Sequence, residues 1–187
     1  MKVENMITES LIQESHTDIE IEKIKFGIRL IVNDLWKMLI IYFIAIILNC
    51  FVATLITHLI FMVLRQVSFG FHYQSSFVCL VASIISLPVG LYIITIHLNT
   101  FYFLFWSSIL STFLLLLIAP VGTIKRPVFN QNHRNYLRKR LLMRLLILWI
   151  AIFMLKDDYQ VFILYAINLI AISVLAQKIL GGRNYEN

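Results

Sequence analysis

Three side chains that could carry out chemistry stand close together in the stretch LRQVSFGFHYQSSFVCLV: the cation Arg65, the imidazole of His72 and the thiol of Cys79. Arg65 is the only charged residue between Lys37 and Lys125. A thiol with a nearby imidazole is the nucleophile and general base of cysteine-dependent acyl transfer. A polar group of this kind inside a long apolar sequence indicates either a reactive site or a substrate path.

The spacing of His72 and Cys79 requires a bend between them. Seven residues on one helix would place them on one face but about 10 Å apart along the axis, beyond hydrogen-bond reach. Gly70 can end the preceding element, and Ser75 or Ser76 is a favoured N-cap residue for the apolar run that follows. We therefore expect a loop before a new helix that carries the thiol.

This arrangement suggests a role for each group. If Ser76 is the N-cap, Cys79 is the third helical residue, where free N–H groups and the helix dipole favour a thiolate. His72 would be the general base and then protonate the leaving amine. Arg65 would orient a substrate carboxylate or backbone, or stabilise negative charge at the reacting carbonyl. The alternative is that the thiol only packs and that the imidazole only meets water at the interface.

The other thiol and imidazoles are expected to be structural. Cys50 has no neighbouring base, so packing is favoured, and Thr54 is a plausible partner for His58. A zinc site is disfavoured, because its ligands would be scattered along the chain without the spacing typical of metal sites. The candidate ligands are His58, His72, Cys79 and His97.

The composition indicates an integral membrane protein. The apolar share is 60% and the mean hydropathy is +0.84, whereas soluble domains have an apolar share of roughly 45 to 50%. We expect an all-α, polytopic helical bundle that forms one domain over residues 1–187. The polar N-terminus lacks the features of a secretory signal and should be retained.

Residues 8–35 show the periodicity of an amphipathic helix, with a capping box formed by Thr17 and Glu20. Such a helix would lie on the membrane surface, within a cytoplasmic or interfacial segment 1–37. Apolar runs long enough to span or nearly span a bilayer follow in the region 38–180. They are 38–64, 77–96, 101–119, 141–155 and 159–176.

The basic loop 120–140 sets the expected topology because cytoplasmic loops carry excess Lys and Arg. If this loop and the N-terminal flank are both cytoplasmic, the crossings between them are even in number. Run 38–64 must then cross twice, turning near Asn49, or not at all. We favour two crossings, hence about six transmembrane helices, with both termini and segment 65–76 cytoplasmic.

The motif RQVSFGFHYQSSFVC, in a polytopic chain of this length with a basic loop beginning APVGTIKRP, resembles the accessory gene regulator protein B family of bacterial quorum sensing. The resemblance covers nearly the whole chain. It implies that His72 and Cys79 are catalytic, and that Arg65 and Gly70 correspond to the family's nearby Arg and Gly. Ser75 and Ser76 would support the substrate or the transition state.

The activity implied by the resemblance is that of a membrane cysteine endopeptidase in the bacterial cell membrane. It would cleave the C-terminal tail from a pheromone precursor through a thioester, and ring closure by an internal thiol or hydroxyl would give a thiolactone or lactone. No metal, nucleotide or other cofactor is required. The expected partners are the precursor peptide and membrane lipid; a second copy of the chain is left open, and no nucleic acid is expected.

The basic loop has two interpretations. It anchors the topology, or it recruits the acidic C-terminal tail that the resemblance implies for the precursor; the recruiting residues would be Lys125, Arg126, Arg138, Lys139 and Arg140. A rival to the enzyme as a whole is a small transporter or export component in which Arg65 and His72 line a polar path and Cys79 is structural. Precursor cleavage after alkylation of Cys79 would distinguish the two.

Overall fold

The computed structural model describes residues 17–71, 75–96, 101–122 and 130–181. Within these ranges the chain forms seven α-helices and one π-helical turn, which confirms the all-α fold. The helices are α1 Asp18–Ile47, α2 Phe51–Ser68, α3 Ser76–Ile84, α4 Gly90–Ile96, α5 Phe101–Ile118, α6 Gln131–Met154 and α7 Asp157–Gly181, and the π-helical turn Ile85–Val89 joins α3 to α4.

Helix α1 begins at the expected capping box. The Thr17 N–H donates to Glu20 Oε2 at 2.9 Å, and the helix continues for 30 residues without a break. The amphipathic segment and the first membrane span are therefore one helix rather than two, because no Pro or Gly interrupts the pattern near residues 35–38. Positions 8–16 lie outside the described residues.

The predicted turn near Asn49 is confirmed. Helix α1 ends at Ile47, Asn49 has a φ of +54°, and α2 begins at Phe51. Asparagine is among the non-glycine residues that most readily adopt this left-handed conformation. The long apolar run 38–64 is thus divided between two antiparallel helices.

The described helices form a multi-pass membrane bundle. Five stretches are long and apolar enough to cross a bilayer: Ile19–Ile47, Phe51–Ser68, Ser76–Ile96, Phe101–Ile118 and Asp158–Leu180. Helix α6 is a sixth long helix, but its first half is strongly basic, and its apolar part, residues 141–154, contains Arg144.

Contacts between loops define two ends of the bundle. At one end, the Val121 N–H approaches the Ser68 carbonyl oxygen at 3.5 Å. At the other end, Asn49, Thr95 and Asp158 line one open cavity of about 660 Å³. Successive long helices therefore run in alternating directions.

Helix α7 is the centre of the core and packs mainly against α2 and α5. A polar cluster joins α7 to α5 within the apolar layer. Asn168 Nδ2 donates to Ser108 Oγ at 2.8 Å, and Ser111 Oγ donates to Asn168 Oδ1 at 2.7 Å. Within a bilayer the hydrophobic effect does not drive helices together, because lipid tails are as apolar as the side chains. Hydrogen bonds between helices therefore contribute to their association.

Candidate active site

The chain reverses direction directly after α2. Phe69 has a φ of +67° and forms a single parallel bridge with Val121, and Gly70 has a φ of +87°. A Cβ at Gly70 would lie 2.7 Å from Ser173 Oγ of α7. Both the backbone conformation and the close helix therefore require glycine at this position.

The backbone of Phe71 is held on both sides. Its N–H donates to the carbonyl oxygen of Ser173 at 3.0 Å and to Ser173 Oγ at 3.1 Å. Its carbonyl oxygen accepts a hydrogen bond from Arg65 Nη2 at 2.9 Å. The next residue is His72, which lies outside the described residues, so the structure gives no position for the predicted base.

Arg65 contacts the chain itself. Besides its hydrogen bond to Phe71, its guanidinium lies over the ring of Phe61 at 5.7 Å from the centroid. The sequence predicted a contact with substrate or with the reacting carbonyl. The structure adds a structural contact that this prediction did not include.

Cys79 lies near the beginning of α3 and is partly exposed. Ser75, in an extended conformation, is the N-cap residue, so Cys79 is the fourth helical residue. With Ser76 as the N-cap, as the sequence analysis assumed, Cys79 would have been the third. Its N–H makes the first hydrogen bond of the helix, to the Ser75 carbonyl oxygen at 3.1 Å. The three preceding N–H groups have no partner within the helix, so the positive end of the dipole lies beside the thiol.

Helix α1 borders this helix start. Ser76 Oγ donates to Asn33 Oδ1 at 3.2 Å. Ser76 and Cys79 are three residues apart and hence on one face of α3. The thiol therefore lies on the side of α3 that α1 approaches.

Cys50 and His58 have structural surroundings, in agreement with the sequence analysis. Cys50 is buried, and its Sγ lies 3.6 Å from Thr54 Oγ1 and 3.5 Å from the Pro88 carbonyl oxygen. The partner of His58 is Tyr42, whose hydroxyl lies 2.9 Å from His58 Nδ1, and not Thr54. Among the described residues, no group of three or more metal-ligating side chains is close enough to hold an ion.

The basic residues in the first half of α6 differ from one another in their surroundings. Arg138 donates from Nε to the Ala119 carbonyl oxygen at 3.1 Å and from Nη2 to that of Leu117 at 3.2 Å, at the end of α5. The Arg140 guanidinium lies over the ring of Tyr136, and Lys139 is exposed. Lys125 and Arg126 lie outside the described residues.

Ser173 and Asn33 border the site but were missed by sequence reasoning. Ser173 follows Phe71 by 102 residues and stands alone in an apolar run. Asn33 looked like one polar residue on the exposed face of an amphipathic helix. Neither has a local pattern, and only tertiary packing brings them to the motif.

The described geometry places a partly exposed thiol at the beginning of a helix, and a restrained backbone immediately before His72. Comparison with known proteins identifies the family. The sequence model for Accessory gene regulator B matches residues 4–180. The chain belongs to this family.

Relatives in the family align with most of this chain. Accessory gene regulator protein B of Staphylococcus intermedius is 29% identical over 173 residues, which cover 92% of each chain. The protein of that name from Staphylococcus aureus strain JH9 is 30% identical over 84% of this chain and 83% of its own. That of Staphylococcus saprophyticus is 27% identical over 91% of this chain and 90% of its own. No solved structure matches.

Proposed function

We propose that the chain is a membrane cysteine endopeptidase that removes the C-terminal tail from a quorum-sensing pheromone precursor. The observation that carries this proposal is the position of Cys79, a partly exposed thiol four residues into a helix whose start follows His72 by four residues. Membership of the accessory gene regulator B family supports it.

The proposed reaction is acyl transfer. The Cys79 sulfur attacks the carbonyl carbon of the peptide bond before the tail, and a C–S bond forms as electrons move to the carbonyl oxygen. Collapse of this intermediate breaks the C–N bond, and His72 gives the departing amine the proton that it took from the thiol. The products are the free tail and a thioester-linked peptide.

Cyclisation then requires no further activation. An internal thiol or hydroxyl of the bound peptide attacks the thioester carbonyl, the C–S bond breaks, and a thiolactone or lactone leaves. A tethered nucleophile competes well with water because its effective concentration is high. A site at the membrane surface also limits the access of water.

The orientation proposed for the site is cytoplasmic. The segment Ser68–Phe71, the start of α3 and the basic start of α6 belong to one end of the bundle, linked through residues 119–121. Basic segments face the cytoplasm in membrane proteins. A newly made precursor would therefore reach the thiol without crossing the bilayer.

The test compares the two cysteines. We expect Cys79→Ala to abolish precursor cleavage, and Cys79→Ser to be nearly as inactive because a hydroxyl is a far weaker nucleophile than a thiolate at neutral pH. Cys50→Ala should retain most activity, since this side chain is buried between Thr54 and Pro88. Cleavage is measured in reconstituted membranes at matched protein levels. Full cleavage by Cys79→Ala would refute the proposal.

A further inference from the structure

Two residues from different helices hold the backbone on either side of Phe71. The Phe71 N–H donates to the main-chain oxygen of Ser173 in α7 at 3.0 Å and to Ser173 Oγ at 3.1 Å. Arg65 of α2 donates to its carbonyl oxygen at 2.9 Å, a charge-assisted hydrogen bond and hence one of the stronger kind. Both polar groups of the Phe71 backbone are therefore bound by groups from other parts of the chain.

The restrained carbonyl belongs to the peptide bond between Phe71 and His72. A peptide unit is planar, so a hydrogen bond to its oxygen restrains the orientation of the whole unit. The residue on the other side is Gly70, whose missing Cβ gives Ser173 Oγ the room to reach the Phe71 N–H. The three contacts act on one short stretch of backbone that ends at His72.

We infer that Ser173 is a positioning residue for the reaction at Cys79, and that it acts with Arg65 by fixing the backbone that presents His72. This inference rests on the proposed function, because it assigns to His72 the role of base. This assignment gives Ser173 a contact with the Phe71 backbone and no direct part in the chemistry. Its effect on catalysis comes through the placement of the imidazole, and a displacement of about 1 Å in a reacting group can cost on the order of a hundredfold in rate.

The first measurement is precursor cleavage by Ser173→Ala. This variant keeps the main-chain acceptor but loses Oγ, so we expect kcat to fall by about tenfold while the half-saturating precursor concentration changes less than about twofold. Ser173→Thr keeps a hydroxyl and should restore most of the rate.

Thr57→Val is the matched control. Thr57 Oγ1 donates to the Phe162 carbonyl oxygen at 3.3 Å, so this variant also removes a buried hydrogen bond between α2 and α7, but it lies away from the Phe71 backbone. Its kcat should stay within about twofold of the parent. Equal losses in Ser173→Ala and Thr57→Val would show that Ser173 merely stabilises the bundle, and would overturn the inference.

The second measurement tests whether Ser173 acts through His72. In a Cys50→Ala background, the rate of Cys79 alkylation by iodoacetamide is compared for Ser173→Ala, for His72→Ala and for the double variant. We expect each single variant to slow alkylation and the double variant to equal His72→Ala alone. Additive effects of the two substitutions would contradict a path through His72.

The proposed function and this inference fail in different ways. Full cleavage by Cys79→Ala would remove the proposed function itself. If Cys79→Ala and His72→Ala are inactive while Ser173→Ala cleaves at the parent rate, the proposed endopeptidase activity is retained and only the positioning role of Ser173 is refuted.

Discussion

Arg65 donates from one terminal nitrogen to the Phe71 carbonyl oxygen, and its guanidinium lies over the ring of Phe61. A lysine ammonium cannot keep both contacts, since it is a point donor without a planar face. The structural role of Arg65 therefore depends on the shape of its guanidinium as well as on its charge.

We predict that Arg65→Lys lowers kcat by about tenfold and leaves the half-saturating precursor concentration within about twofold of the parent. Steady-state cleavage in proteoliposomes provides both quantities. If Arg65 instead binds a carboxylate of the precursor, as the sequence suggested, the half-saturating concentration will rise more than kcat falls.

Arg138, Lys139 and Arg140, three of the basic residues in the first half of α6, should differ from one another in their effects. Arg138 is tied to carbonyl oxygens at the end of α5, whereas Lys139 is exposed and Arg140 lies on an aromatic ring. Of these three, Lys139 and Arg140 are the exposed cations that an acidic tail could approach directly. Such attraction is screened over a Debye length of about 8 Å at physiological salt.

We expect Lys139→Gln with Arg140→Gln to raise the half-saturating precursor concentration, to remove most of its salt dependence, and to leave kcat within a few-fold of the parent. Arg138→Gln should instead lower the stability of the bundle without changing the salt dependence. Cleavage at low and high salt distinguishes these effects. An unchanged salt dependence in the double variant would leave these residues as topological anchors alone.

The element that carries Cys79 is joined to the rest of its span by a π-helical turn. Pro88 lies within this turn and has no N–H, while the Ser86 carbonyl oxygen accepts the Tyr165 hydroxyl at 2.8 Å. The next residue is Gly90, where a Cβ would collide with the Tyr165 hydroxyl. Tyr165 thus fills the space that glycine leaves and donates a hydrogen bond to a backbone oxygen of the irregular turn.

Gly90→Ala should destabilise the folded protein by about 1 to 3 kcal/mol because it overpacks this contact. Tyr165→Phe removes the nearest colliding atom, so the double variant should lose less stability than the sum of the two single variants. Unfolding free energies in lipid bicelles give the comparison. Strict additivity would mean that the two side chains do not interact.

Helix boundaries were predictable where the chain carries local signals. Thr17 and Glu20 mark a start, Asn49 marks a turn, and Ser75 precedes the helix of Cys79. The continuity of α1 was not predicted, because the change from an amphipathic to an apolar pattern looks like a boundary although the backbone has no reason to break. Ser173 was beyond prediction, since its role depends on which helix packs beside Gly70.

At the scale of the whole molecule, the two ends of the bundle make a labelling prediction. In a variant without native thiols, a single cysteine at Asn49 or Asp158 should react with an impermeant reagent added outside, because both positions line the same open cavity. A cysteine at Gln131 should react only after the membrane is opened. Labelling of Gln131 from outside would reverse the orientation proposed for the site.

The hydrogen bonds from Phe71 to Ser173 also constrain the order in which the molecule can be completed. Residues 65–79 are made early, but the acceptor for the Phe71 N–H belongs to the last helix, 102 residues further along the chain. A nascent protein that has inserted α1 to α6 already contains the thiol and the imidazole, yet the backbone of Phe71, next to His72 in the chain, still lacks its partner on α7. Only when translation has delivered α7 to the bilayer can this stretch reach its native conformation.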